Sequence, residues 1–567
     1  MKTKLISGIV ILFLVLSCDS SFEDLNSNQN SITTDEVIPP SLLIKGTMLA
    51  DIAINNGHLQ RIAGMWTGQY RGEIALYLGL YNYDISSSES NSDWTYLYNG
   101  MLKQFSEINK YYAINGMDTE GQLIVGICKV LEAHAVGTAT SIWGDIPYSQ
   151  AINPAISDPA FDKQSKIYEA LQIKLQDAID LLSLSSTKST LTEDIFFAGN
   201  KDKWVKTAYT LKARYYLQTR DYVAARAAAL NGIPDYAGTM KFTPLVPAGT
   251  TSAPTGTENL LHRFMAGTRK GYLTVNNTFC RNLLDTQTSF PTISRRNAKT
   301  NEQARRNHLN AGSITGINTT TIINGELKPM DLVTYQENLL ILAETGARTV
   351  SFDEGLLQLN KVREFLASDF SFDKRSSADV KKYDAYVTAD FAKRKSGVTI
   401  TGTAGQFSCS PATIEIGNAI VISGTLAGTG TINGYTSPKT YYVKATNGTT
   451  TFTLSETLGG TAIATTVGTP TGLTYSGMEN PDNIDSTRAL LREIIEERYV
   501  TGFGTFMPWN DARRLRKSEP DIAVPIPFNN ATATKHPERF IISQDEINSN
   551  SNAPKGLTIY SPTELNE

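Results

Sequence analysis

The sequence predicts a mainly α-helical protein of stacked helical pairs and irregular loops, with one small all-β domain inserted toward its C-terminal end. Three observations carry that prediction. Apolar residues recur at helical spacing through most of residues 42–395 and 477–567. Several of these helices come in pairs joined by short turns, with alanine where two helices would approach. The texture then changes abruptly at Ser396–Ser476, where Thr, Gly, Ala, Val and Ile dominate and Glu415, Lys439, Lys444 and Glu456 are the only charged residues. A chain of 567 residues, 41% apolar and 19% charged, is long and apolar enough for several folded units. Its net charge of −4 provides no basic surface for phosphates, which excludes nucleic acid as a main partner.

Residues 1–17 read as a signal peptide, with Lys2 and Lys4 before an apolar run from Ile6 to Leu16. That run is short for a membrane span of about 20 residues, and no later segment is expected to approach that length. The run ends in "VLSC", which resembles a bacterial lipobox. The resemblance implies cleavage before Cys18 and acylation of that residue, palmitate included. Several buried acyl chains, at about 0.8 kcal/mol per CH₂, make a stable anchor. Residues 18–41 then read as an acidic and polar tether carrying Asp19, Glu23 and Asp24.

Within the helical body, Ser165–Leu184 places Ile167, Leu171, Leu175, Ile179 and Leu182 near one face. Trp204–Leu230 reads as two helices broken near Thr219–Asp221, a unit that resembles a tetratricopeptide repeat. Met330–Arg348 and Glu354–Ala367 form a second such pair. Ser486–Phe503 is a further helix, expected to open on a Ser486 cap and to be lined by Leu490, Ile494 and Ile495. Stacked pairs of this kind bury a continuous core. In "WGDIPYSQA" a Gly-Asp turn ends a helix and Pro147 restarts the chain in extended form. Trp143, Trp204 and Trp509 are expected to pack inside.

Residues 396–476 alternate as strands do, and Asn447-Gly448 is a hairpin turn signal. About 80 residues suffice for a small independent β domain, and a helical host accepts it only at a loop. "AGTGTINGY" lacks the Lys-Ser/Thr and the strand-to-helix context of a phosphate loop.

Recognisable catalytic patterns are missing: there is no G-x-S-x-G elbow, P-loop, Rossmann glycine set or H-E-x-x-H. The four cysteines and five histidines are dispersed, so neither a disulfide framework nor a metal or cofactor site is predicted. "NPDNIDS" (Asn480–Ser486) carries oxygen donors but lacks the EF-hand glycine and final Glu, and reads as a polar loop leading a helix. The candidate ligand site lies in Met65–Trp94. Trp66, Tyr70, Tyr81, Tyr83 and Trp94 offer flat apolar faces for sugar C–H groups, while Arg71 and Asn82 offer hydrogen bonds to hydroxyls. The competing reading is that Trp66, Tyr70 and Trp94 face the core.

Four segments, "SIWGDIPYSQA", "GNKDKWVKTAYTLKARYYL", "LVTYQENLLILAETGAR" and "ALLREIIEERYV…FMPWNDARR", resemble in order and spacing the SusD/RagB-like lipoproteins of Bacteroidetes-type bacteria. The resemblance covers nearly all of the mature chain outside residues 396–476. It implies a lipid-anchored, surface-exposed outer-membrane protein that captures an oligosaccharide and passes it to a SusC-like TonB-dependent barrel without turning it over. A peptide ligand within the same family and an adhesin acting through the β insert are the alternatives. The resemblance transfers no binding residue.

Overall fold

The computed structural model describes residues 38–185, 191–247, 249–254, 256–285, 295–309, 323–412 and 414–567. The signal peptide, Cys18 and the tether up to residue 37 lie outside the described residues. The first helix, α1, spans Pro40–Asn56, with proline at its first turn where no backbone donor is missed. It thus starts two residues before Leu42. Gly57 separates it from α2, His58–Trp66. A Cβ on Gly57 would lie 1.9 Å from the Ala53 carbonyl oxygen, so no side chain fits at that close turn. A short α3 (Ala75–Tyr81) and α4 (Lys103–Asn115) follow.

The scaffold is then a run of helices, each packed on the next. α5 spans Thr119–Trp143, α6 Gln164–Leu184, α7 Lys201–Gln218 and α8 Tyr222–Ala229. α9 spans Tyr335–Thr349, α10 Phe352–Ala367, α11 Ser486–Thr501 and α12 Met507–Arg516. Neighbours pack in the order α5–α6–α7–α8–α9–α10, and α11 closes on α9 and α10. Capping residues set the starts: Asp118 accepts from the Gly121 N–H at 2.8 Å and Asp221 from Ala224 at 3.0 Å. Gly144, at φ +80°, ends α5, and Ile146–Pro147 runs on as a short strand against Phe161–Asp162. α5 and α7 approach closely because Gly137 has no side chain. A Cβ there would lie 2.3 Å from the Tyr215 ring, whose hydroxyl donates to the Ala133 carbonyl at 2.6 Å.

Three expectations are corrected. The helix expected from Met330 begins at Tyr335, because Met330–Val333 pairs as a strand with Met240–Phe242 and Thr334 caps the helix by accepting from the Glu337 N–H at 3.0 Å. Asp485, not Ser486, caps α11, accepting from the Thr487 N–H at 2.9 Å. α5 does reach membrane-spanning length and apolarity, but 89% of its apolar window is buried in the protein. It is a core helix, covered by its neighbours. Trp143, Trp204 and Trp509 are buried as expected.

Between α10 and α11 the chain builds a separate sheet domain. Its strands are β1 (Lys395–Ser396), β2 (Thr399–Ile400), β3 (Gln406–Ser408), β4 (Ala419–Ser423), β5 (Lys439–Thr446), β6 (Thr451–Ser455) and β7 (Thr474–Gly477). They form one antiparallel sheet in the order β2-β3-β6-β5-β4-β7-β1. Alternate residues such as Ile420, Ile422, Tyr441, Val443, Phe452 and Leu454 fill a core of their own with Ile414, Ile432, Ile463 and Leu473 from the loops. Phe407 and Phe452, partners in register, stack at 5.7 Å and 14°. The β5–β6 turn contains Asn447-Gly448 but has four residues. The Asn447 Oδ1 accepts from the backbone N–H groups of Thr449, Thr450 and Thr451 at 3.0, 2.8 and 2.9 Å.

Candidate ligand-binding site

The segment Met65–Trp94 threads from the core to the surface and back, so its aromatic residues part company. Trp66 ends α2 pointing inward. It is 2% exposed, stacks on Phe540 at 4.7 Å and 19°, and its Nε1 donates to the Leu80 carbonyl at 2.8 Å. Trp94 is 7% exposed and meets Trp143 edge-on at 4.9 Å. Tyr70 is 1% exposed, edge-on to Phe503 at 5.0 Å, and burial pushes its hydroxyl pKa up. Tyr83 is buried too, with its hydroxyl accepting from the Asn529 N–H at 2.9 Å. The expectation that Trp66, Tyr70, Tyr83 and Trp94 offer faces to a ligand is therefore corrected: all four are buried, as the competing reading had it for Trp66, Tyr70 and Trp94. Each aromatic plane finds a better partner in another ring than in water, and several of those rings come from residues 503–540.

Tyr81, Asn82 and Arg71 stay at the surface. Tyr81 is half-buried over Gly72, where a Cβ would lie 3.0 Å from the Tyr81 Cβ. Asn82 is exposed, and Arg71 is half-buried with its Nε 3.6 Å from Glu73. Arg71-Gly72 is pinned as a strand to Leu273-Thr274.

The structure joins Tyr81 to residues the sequence did not single out. Asn529 Nδ2 donates to the Met65 carbonyl at 2.9 Å and to the Tyr81 carbonyl at 3.1 Å, clamping the C-terminal loop onto this segment. The loop carries Phe528, 42% exposed and stacked on His536 at 4.3 Å and 29°. Burial, with the Arg516 guanidinium nearby, pushes the His536 imidazole down to about 4, so it is neutral at pH 7. Tyr560, 39% exposed, and Arg516 both act electrostatically on Tyr83. The result is a surface cluster of Tyr81, Asn82, Phe528, His536 and Tyr560. It offers flat faces beside amide and hydroxyl groups, the combination a sugar ring requires. The one local signal for its second half was an exposed-type "PFNN" loop; nothing in the sequence places it beside Tyr81.

Tyr70 instead lines a second, inner cleft with Arg61, Tyr236, Lys328, Asp331 and Phe503. In "NPDNIDS" Asn480 and Asp482 are already engaged by protein groups. Asn480 Nδ2 donates to the Phe391 and Ile484 carbonyls at 3.1 and 2.9 Å, and Asp482 pairs with Arg492 at 2.6 Å. Cys128, Cys280 and Cys409 are buried free thiols. Among the described residues no group of three or more His, Cys, Asp or Glu could hold a metal ion.

Comparison with known proteins bears on what this geometry serves. No curated protein matches the chain. A SusD/RagB family protein of known structure from Bacteroides thetaiotaomicron is similar over 93% of this chain and 99% of its own, with a TM-score of 0.54 and 15% identity. A chitin-binding SusD homolog from Flavobacterium johnsoniae is similar over 92% and 98%, with a TM-score of 0.53 and 13% identity. At these identities the likeness is one of fold. The model of a family described as "Starch-binding associating with outer membrane", SusD-like, matches residues 30–353. That match spans more than half of the sequence, and this chain belongs to the SusD-like family.

Proposed function

We propose that this protein captures oligomeric glycan at the outer face of the outer membrane and hands it to a SusC-like TonB-dependent transporter. The observation that carries the reading is the SusD-like match over residues 30–353, a family of binding proteins associated with the outer membrane. The chitin-binding character of a homolog of the same fold supports a glycan ligand. Cys18 is the anchor, so the chain reaches the membrane through lipid alone. The cluster of Tyr81, Asn82, Phe528, His536 and Tyr560 is the ligand platform, with Arg71 at its edge. No covalent step is required: stacking and hydrogen bonds hold one sugar unit, and repeated weak contacts along the oligomer raise apparent affinity.

Two measurements test this. A panel of starch and chitin oligosaccharides titrated into the soluble chain should find a ligand. Tyr81→Ala combined with Phe528→Ala should weaken that ligand about tenfold, on the order of 1.4 kcal/mol, with an unchanged melting temperature. Unchanged affinity rules out the platform. The acylated protein extracted in mild detergent should bring down a large TonB-dependent barrel, and purification without one overturns the transporter partnership.

A further inference from the structure

The chain enters the described structure at Ile38, beside the turn that joins α4 to α5, and that corner of the molecule is apolar. Pro39 and Ser41 share an open groove of about 510 Å³ with Tyr111, Tyr112, Asn115 and Met117, where α1 packs on α4. Large apolar side chains around it stay in water. Leu42, in the first turn of α1, is 73% exposed, more than any other large apolar residue among the described ones. Ile114 and Met117 lie in a stretch, 113–120, that is exposed throughout. The turn between them is fixed at both ends. Gly116, at φ +81°, ends α4 with its N–H donating to the Tyr112 carbonyl at 3.0 Å, and Asp118 caps α5. None of the three apolar residues packs against a hydrophobic core, and no cap or turn here requires an apolar side chain. Three such side chains left in water at one corner mark a contact surface.

The position of the corner says what covers it. Cys18 precedes Ile38 by 20 residues, at most about 70 Å of chain. An anchor at Cys18 therefore ties the body to the bilayer through this corner. A contact between the corner and lipid closes within one tethered molecule, where even weak apolar burial is effective. Charge neither drives nor opposes it: Lys45 lies one turn along α1 from Leu42, while Asp118 and Glu120 follow Met117. The Tyr111 and Tyr112 rings, half-buried and edge-on at 5.2 Å, suit the headgroup boundary, which accommodates an apolar ring with a polar tip.

We propose that this corner rests on the lipid bilayer, with Leu42, Ile114 and Met117 set among the headgroups and upper acyl chains; the proposal rests on the reading of Cys18 as the anchor. A body tied at one point can turn any face to the membrane, and a second contact limits it to one. The test uses the whole acylated protein on phosphatidylcholine vesicles whose headgroups carry a nitroxide quencher. Cys128, Cys280 and Cys409 are buried, so a fluorophore attaches at Thr119→Cys, beside the turn, or at Leu357→Cys, exposed on α10 at the other end of the helical run. Quenching should be several-fold greater at Thr119→Cys than at Leu357→Cys, and insensitive to salt because the contact is apolar. Adding Ile114→Asp with Met117→Asp should remove the difference while the chain melts as before. Equal quenching at the two sites overturns the proposal, as does a difference that survives the double substitution. Protein that does not stay with the vesicles overturns the anchor reading, and this proposal falls with it. Protein that stays without quenching at Thr119→Cys overturns the corner contact alone, and if the double variant then also loses the transporter, the corner is a protein contact instead. If the double variant does not fold, the comparison of the two labelled sites decides alone.

Discussion

At the scale of single residues, type was legible and direction was not. The segment Met65–Trp94 reads as aromatic and polar, which is correct, but which rings face out depends on partners more than 400 residues away. Trp66 is covered by Phe540 and Trp509, and the Asn529 that positions Tyr81 and Tyr83 lies in the same distant stretch. No local period records that closure. The two classes of residue should respond differently to mutation. Trp66→Ala leaves a hole between Phe540, Trp509 and Tyr83 and should cost about 3–5 kcal/mol, read as a lower denaturant midpoint. Tyr81→Ala, at the surface, should change stability by less than about 1 kcal/mol. If Trp66→Ala instead leaves stability unchanged and removes glycan binding, Trp66 is a ligand residue and its buried position does not describe the working protein.

At the scale of elements, α6, α7, α8 and α10 begin and end within about three residues of where period and turn chemistry predict, because their apolar faces, caps and turns are local signals. The polar side of α11 was not legible. Its Glu493 and Glu497 hold Arg295, at 3.0 and 2.6 Å, and Glu497 also holds Arg305 at 2.6 Å, so these acids are interior, held by arginines about 200 residues away in sequence. Their number gives a pH dependence. Burial, with Glu493 adding repulsion, pushes Glu479 up to about 8 and Glu496 up to about 7. Both titrate near 4.3 in an unfolded chain. Between those values the folded protein binds more protons than the unfolded one, so stability falls as pH rises from about 5 to about 8. Glu344 and Glu497 act in the opposite sense. Burial alone would raise them, but Arg514 and Arg348 around the first, and Arg305 and Arg295 around the second, pull each down to about 2. Their contribution is complete above the unfolded value and is lost as pH falls toward 2. Melting temperature should therefore peak near pH ~5 and decline on both sides. Glu479→Gln keeps an oxygen for the Tyr386 hydroxyl, which donates to it at 2.8 Å, and removes the ionisation. That variant should flatten the decline above pH 5; an unchanged alkaline slope places the titration on other groups.

At the scale of the whole molecule, the sheet domain was visible as a break in composition because its period, charge density and turn residues all differ from those of its host. Its independence is physical. Its apolar core contains only residues from 398 to 475, and the chain leaves and returns side by side, with Lys395 opposite Tyr475 and Ser396 opposite Thr474. Contact with the helical body runs through β4 and β7, which pack on the turn Thr388–Phe391; the Gly477 N–H donates to the Ala392 carbonyl at 3.0 Å, and the Tyr442 hydroxyl donates to the Ala298 carbonyl at 3.4 Å. Neither the surface platform nor the inner cleft uses a residue from it. Replacing residues 396–476 with a two-residue Gly-Ser link should thus leave a body that still melts cooperatively, with glycan affinity within about twofold of the full chain, a difference on the order of 0.4 kcal/mol. The helical core, from Ile44 near the start to Ile559 near the end, is closed by C-terminal residues and not by the insert. The converse removal shows why the distinction matters. Deleting residues 524–567 strips Phe540 from Trp66 and the Phe540 N–H from the Ile142 carbonyl, 2.8 Å away, so that chain should not fold. A Gly-Ser variant that folds but no longer binds glycan moves the ligand site into the sheet domain, and the body becomes a platform that displays it.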